Sequence, residues 1–165
     1  MDLKKYFTYD LKVLNEDDLK DIYDLCKKNR EYYKCIRINP TLDNVKEILN
    51  DIPPKSSKDK KNCIGLYLKN KLVAILDLIE DYPNSASCFI GLLIIDVDYQ
   101  GKGRGKDITT SLIKTVKENG YKRIELGVIE DNVSAIKFWN KMGFIPTGTI
   151  YNHEKYNVIM MEKVL

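Results

Sequence analysis

Apolar and polar positions change period several times along the first half of the chain. Residues 7–14, FTYDLKVL, alternate and predict a strand. In the following NEDDLKDIYDLCKKN, Leu19, Ile22, Tyr23 and Cys26 fall on one face of a helix. Asn15 can cap that helix, and Glu16, Asp17 and Asp18 suit its positive end. A second helix is predicted after Pro40, with Thr41 as cap and Val45, Ile48 and Leu49 facing inward. Residues 29–38, NREYYKCIRI, read as the segment between these two helices. The polar, basic stretch 53–62, PPKSSKDKKN, reads as a surface loop inside one domain spanning 1–165. Then CIGLYLKN and KLVAILDLIEDY predict two strands joined by a tight turn at Asn70. Residues 87–96, SCFIGLLIID, are apolar on both faces, as befits a central strand covered from two sides.

Past the glycine-rich stretch 100–106, Ile108, Leu112, Ile113 and Val116 recur at helical spacing up to Gly120, a C-terminal cap. KRIELGVI predicts a strand with Ile124, Leu126 and Val128 on one face. NVSAIKFWNKMGF predicts a short helix capped by Asn132 and stopped by Gly143, and two strands near 144–151 and 155–163 close the chain. The order is β-α-α-β-β-β-α-β-α-β-β. It makes an α/β fold with a mixed, mostly antiparallel sheet, in which the strands before and after the glycine-led helix run parallel.

Charge and composition narrow the partners. With 27 basic and 24 acidic residues the net charge is +3, too mild to argue for nucleic acid. No apolar run is long enough to span a bilayer, and the first residues lack an apolar signal core. Cys26, Cys35, Cys63 and Cys88 show no C-x-x-C spacing and there is one histidine, so no metal site is expected. Reduced thiols in a cytoplasm are the simplest reading.

The stretch QGKGRGK, 100–106, carries the chemistry. Glycine-rich turns that lead into a helix expose backbone N–H groups, which bind phosphate together with the helix dipole. Gly101, Gly103 and Gly105 let a ligand approach the backbone, and Lys102, Arg104 and Lys106 add positive charge. Two common nucleotide motifs fail on offsets. A Walker A loop would need glycine at position 100 or 96, where Gln and Asp stand. A G-x-G-x-x-G fingerprint would need glycine at 106 or 108, where Lys and Ile stand.

Gln100, Gly103 and Gly105 do fit Q/R-x-x-G-x-G/A. Asn132 and Ala135 form an N-x-x-A helix that ends in Lys141-Met142-Gly143-Phe144. In these motifs, and in element order over nearly the whole chain, the sequence resembles the GCN5-related N-acetyltransferases. The resemblance implies a splayed central pair of parallel strands with acetyl-CoA in the wedge. Backbone groups near Ile94, Ile95 and Asp96 would then pair with pantetheine, and the amides of Gln100 through Gly105 would take the pyrophosphate. Asn132 would bond the pantetheine arm or serve simply as the helix cap.

The implied reaction is direct acetyl transfer to a primary amine of a small molecule or peptide. Glu80, Asp81 and Glu125 are the candidate bases, and the acidic cluster Asp77, Glu80 and Asp81 would suit a cationic amine. Members of the family often carry a tyrosine that protonates the leaving thiolate; here that position is Trp139, whose indole N–H is no useful acid. Trp139 is expected to pack on the pantetheine arm or in the core. Tyr32 and Tyr33 either line the acceptor pocket or pack under the helices. A catalytically weak CoA-binding module is the alternative function, and RNA binding through Lys102, Arg104 and Lys106 is disfavoured by the small net charge. The expected assembly is a monomer or homodimer.

Overall fold

A computed structural model describes residues 1–165. Seven strands form one sheet in the order β1-β2-β3-β4-β5-β7-β6: β1 (Asp10–Val13), β2 (Lys61–Leu68), β3 (Lys71–Glu80), β4 (Ser87–Ile95), β5 (Arg123–Ile129), β6 (Ile145–Asn152) and β7 (Asn157–Val164). Every neighbouring pair is antiparallel except β4 and β5. Five helices flank the sheet: α1 (Leu19–Lys28), α2 (Arg30–Ile36), α3 (Leu42–Asn50), α4 (Arg104–Glu118) and α5 (Val133–Lys141).

The sheet separates two cores. One face packs Ile64, Leu76, Ile90, Leu126 and Met161 against Ile108, Leu112 and Val116 of α4 and Trp139 of α5. The other packs Cys63, Leu72, Ile75 and Ile94 against Ile22, Leu25 and Cys26 of α1, with Tyr33 and Val45 beside them. The apolar run 87–96 is therefore the central strand with both faces covered. Each fully buried aliphatic side chain stabilises the fold by roughly 1.5–3 kcal/mol, so the α4 stripe alone fixes that helix on the sheet.

Two departures from the sequence reading have local causes, and the tight turn expected at Asn70 forms. Residues 30–36 form a helix of their own, α2. Asn29, at φ −82° and ψ 53°, breaks α1, and Arg37 in the left-handed region ends the new helix. Strand β1 covers only 10–13, because Leu3 and Tyr9 turn inward onto the α4 core instead of extending the ladder. The turn after β2 uses two left-handed residues, Lys69 and Asn70, as a two-residue hairpin with right-handed strand twist requires.

What positions the site is a bulge in β4. Asp77 of β3 pairs with Leu92 and Leu78 with Ile90, so Gly91 has no partner across that ladder. The extra residue flips side-chain parity. Before it Cys88 and Ile90 face the α4 core; after it Leu93 and Ile95 do, while Ile94 faces α1. At the same point β4 leaves β5. Their parallel pairing runs from Ser87↔Arg123 to Ile90↔Leu126 and stops, although β4 continues to Ile95 and β5 to Ile129.

Candidate active site

The V between the far ends of β4 and β5 is a cleft of about 300 Å³. Its walls include Leu93 of β4, Val128 of β5, Ala135 and Trp139 of α5, Asn132 and, from the opposite side, Tyr32 and Tyr156. The Asp96 N–H donates to Val73 O at 2.9 Å. Antiparallel alternation then turns the backbone groups of Ile94 toward β3 and those of Leu93 and Ile95 toward the gap. Of Ile94, Ile95 and Asp96, it is Ile95 whose N–H faces the cleft. The Asp96 side chain is buried, accepts from the Asp98 N–H at 2.9 Å and pairs with Lys28 Nζ at 3.1 Å, holding the start of the loop.

At the mouth of the V lies the glycine loop. Gly101 and Gly103 have φ of +70° and +77°, and α4 starts at Arg104 with no side-chain cap. The six N–H groups from Gly101 to Lys106 have no acceptor within the chain; Asp107, bonded to Gly103 O, is the first amide of the helix to be satisfied. Consecutive free amides at a helix N-terminus are a ready-made anion site. The Gln100 N–H, expected among the pyrophosphate donors, instead donates to Val97 O at 3.3 Å, closing the short turn before the loop, and the Gln100 side chain ties the loop down. Its Nε2 donates to Ile95 O at 2.8 Å and to Asn29 Oδ1 at 2.9 Å, tying the loop to β4 and to the end of α1. Lys102 folds back to donate to Asp98 O at 2.7 Å, Lys106 is exposed, and the buried Nε of Arg104 has no partner. Gly105 lies against Phe138, where an added Cβ would approach the ring to 3.0 Å.

Asn132 both caps α5, accepting from the Ala135 N–H at 3.1 Å, and lines the cleft. Trp139 is buried between Phe138 and Phe144, with ring centroids at 4.9 and 5.0 Å, and one side of it reaches the cleft wall. The two tyrosines of α2 divide. Tyr33 is buried in the α1 core, whereas Tyr32 lines the cleft with its hydroxyl pushed up to about 12 by burial, Tyr156 adding to the effect.

The candidate bases lie in two places. Glu80 and Asp81 sit at the closed end of the V, beside Cys88. Asn62 Nδ2 donates to Glu80 at 2.9 Å, Lys60 pairs with Asp81 at 2.7 Å, and Tyr121 Oη is 3.1 Å from each carboxylate. The Lys60 ammonium holds the Asp81 carboxyl below the usual range. Neither residue lines the V or the cleft that adjoins it. Glu125 does. It faces away from the α4 core, accepts from Ser87 Oγ at 3.1 Å, and lines a second cleft of about 300 Å³ with Tyr82, Phe89, Tyr151 and Pro53. Phe89, Gly127 and Val158 border both clefts, so the two spaces meet at that wall.

A model of the Acetyltransferase (GNAT) family matches residues 18–144. The chain belongs to that family. It is 34% identical over 113 residues to the spermine/spermidine N(1)-acetyltransferase of Bacillus subtilis (strain 168), spanning 61% of this chain and 74% of the relative. The fold is shared with an acetyltransferase of Thermus thermophilus (TM-score 0.77, 22% identity, 97% and 99% of the two chains). It is shared too with the spermidine N-acetyltransferase of Vibrio cholerae solved with CoA and spermine (TM-score 0.69, 21% identity, 94% of each chain). The protein is thus an N-acetyltransferase, and this GNAT enzyme takes its acetyl group from acetyl-CoA. No helix is long and apolar enough to cross a membrane, and the four cysteines are free thiols.

Sequence reasoning passed over Tyr156, Gly91 and Gly127. The first gives no signal, since one tyrosine near a turn looks like the ten others. The glycines do. A glycine inside an apolar strand marks a bulge or a close approach, and both interrupt otherwise strong β segments.

Proposed function

We propose that the chain acetylates a primary amine of a small aliphatic polycation of the spermine or spermidine class, by direct transfer within a ternary complex. The observation that carries this reading is the meeting of two clefts at Phe89, Gly127 and Val158. One is fronted by six free amides suited to a pyrophosphate, the other holds a carboxylate among aromatic rings. In the first, the amides of Gly101 to Lys106 hold the pyrophosphate and the free edge of β4 at Leu93 and Ile95 pairs with pantetheine. Asn132 and Trp139 flank the arm, with Ile94 and Asp96 supporting the strand from behind. In the second, Glu125 draws in the ammonium, and Tyr82, Phe89 and Tyr151 offer ring faces to the cation and its methylenes. The polyamine relative supports this choice of acceptor.

Binding both reactants brings amine and thioester together, which is worth about 7–11 kcal/mol of the barrier when the geometry is aligned. A β4 N–H facing the V can polarise the carbonyl oxygen. The C–N bond forms, the C–S bond breaks and sulfur leaves as thiolate; Tyr32 and Tyr156 are the hydroxyls that border its path. The test is release of free thiol from acetyl-CoA with spermine, spermidine, an aminoglycoside or a lysine peptide as acceptor. Turnover fastest with the polyamines is expected. Binding of CoA with no thiol released for any amine would favour the CoA-binding module instead.

A further inference from the structure

On the α1 face of the sheet, Gly127 of β5 and Met160 of β7 pair in one row, Gly91 of β4 is the bulge residue just past the last β4–β5 pair, Ile90↔Leu126, and Asp77 of β3 pairs with Leu92 beside that bulge. Gly91 and Gly127 have no side chain, and both are exposed and line the cleft of the V, where the two strands part. The strip is side-chain-free at a cost in fit. A Cβ at Gly127 would stand 2.7 Å from Val158 Cγ1, and one at Gly91 would stand 2.5 Å from Asp77 Oδ2. The carboxylate of Asp77 thus occupies the place where a side chain at 91 would begin, directly beneath the cleft floor. Asp77 is buried, Oδ2 pairs with Lys61 Nζ at 2.7 Å, and Oδ1 has no partner. Both partners of that ion pair are buried, with side chains 5% and 9% exposed. A buried carboxylate with an unpaired oxygen is costly and calls for a role.

We propose that Asp77 is the proton acceptor for the incoming amine, reached over Gly91 through one water. The proposal rests on the acetyl-transfer reading. The acceptor arrives as an ammonium, and one N–H proton passes to the Asp77 carboxylate. The freed lone pair forms the C–N bond while the electrons of the C–S bond leave on sulfur. The second proton, on the now cationic nitrogen, goes to that sulfur and gives the free thiol. Asp77 then returns its proton to solvent. Glu125, in the neighbouring row opposite Phe89, holds the cation rather than receiving its proton. Lys61 keeps Asp77 ionised in an apolar setting, while burial lifts its carboxyl above the usual range, toward the pH at which a base works best. The charged and titratable groups facing Asp77 are Lys61 and Cys63 of β2 and Asp51 at the end of α3; β4 presents none there.

The experiment is the pH profile of kcat, with acetyl-CoA and spermine, for the wild type, Lys61→Met and the double variant Lys61→Met/Asp77→Asn, in which no buried charge is left unpaired. The wild type should lose activity on the acid side as Asp77 is protonated. Lys61→Met should move that limb to higher pH, because the ammonium that favoured the ionised carboxylate is gone. The double variant should lack the limb and turn over on the order of 10²-fold more slowly, with the KM for acetyl-CoA unchanged. A limb that stays in place in Lys61→Met, or persists in the double variant, overturns the role of Asp77 while the transfer reading stands. If the double variant does not fold, the direction of the Lys61→Met shift still decides. A wild type that releases no thiol with any amine overturns the transfer reading itself, and the proposal with it.

Discussion

The two halves of the proposed site are built from different materials. The donor half is backbone: six amides in a row, two glycines at positive φ, and a strand edge opened by a one-residue bulge. The acceptor half is side chains gathered from separate places: Pro53 from the loop after α3, Tyr82 and Phe89 around the start of β4, Glu125 from β5, Tyr151 from β6. A backbone site recognises what every donor molecule shares, a pyrophosphate and a string of amides. A side-chain site can be re-specified one residue at a time. The same fold can therefore keep its donor while its acceptor changes.

Breaking the donor half should have the largest effect. Gly103→Val places a β-branched residue at φ +77°, which it resists strongly, although there is open space around the new Cβ. The loop must re-form and several amides lose their aim. The KM for acetyl-CoA should rise about 100-fold, as two charge-assisted hydrogen bonds lost would give, with the KM for spermine unchanged. Steady-state kinetics with each substrate varied in turn checks this.

Breaking the acceptor half should give the mirror image. Glu125→Gln keeps the shape and the bond from Ser87 but removes the charge. It should lower kcat/KM for spermine about 10- to 100-fold and leave the affinity for CoA, read by calorimetry, as it was. The comparison sharpens further at Asn132, where fold and site overlap. Asn132→Ala removes the α5 cap and should cost ~1 kcal/mol of stability, seen as a fall of a few degrees in the melting temperature. If Asn132 also bonds pantetheine, the KM for acetyl-CoA rises as well; a role as cap alone leaves it constant.

The same division explains what could be read from the sequence. QGKGRGK and the Asn132–Ala135 helix are local. Glycine spacing, cap and strand–loop–helix context lie within a few residues, so the glycine loop at the helix start and the α5 cap were legible, as were the central strand and the parallel pair. Helix α2 was not, because its seven residues pack on neighbours rather than carry a stripe of their own, and a broken φ/ψ at Asn29 has no sequence signature. Glu80, Asp81 and Glu125 were indistinguishable as sequence, since each is an acid at or in a strand. Only tertiary partners separate them: Lys60, Asn62 and Tyr121 engage the first two, and a cleft opens beside the third. Asp77 was legible only by its charge, as one of a cluster with Glu80 and Asp81; its burial was not, because that depends on the register of three strands.

The central claim is that the donor is held by the backbone of 101–106 and the free edge of β4. It is tested most directly by following each amide of a nitrogen-15-labelled chain by NMR as coenzyme A is added. The largest shifts are expected at Gly101 through Lys106, with Leu93 and Ile95 next, and the loop shifts should be lost when pantetheine, which lacks the pyrophosphate, replaces coenzyme A. Saturable shifts confined to α1 and α3, with the loop amides unmoved, would contradict it.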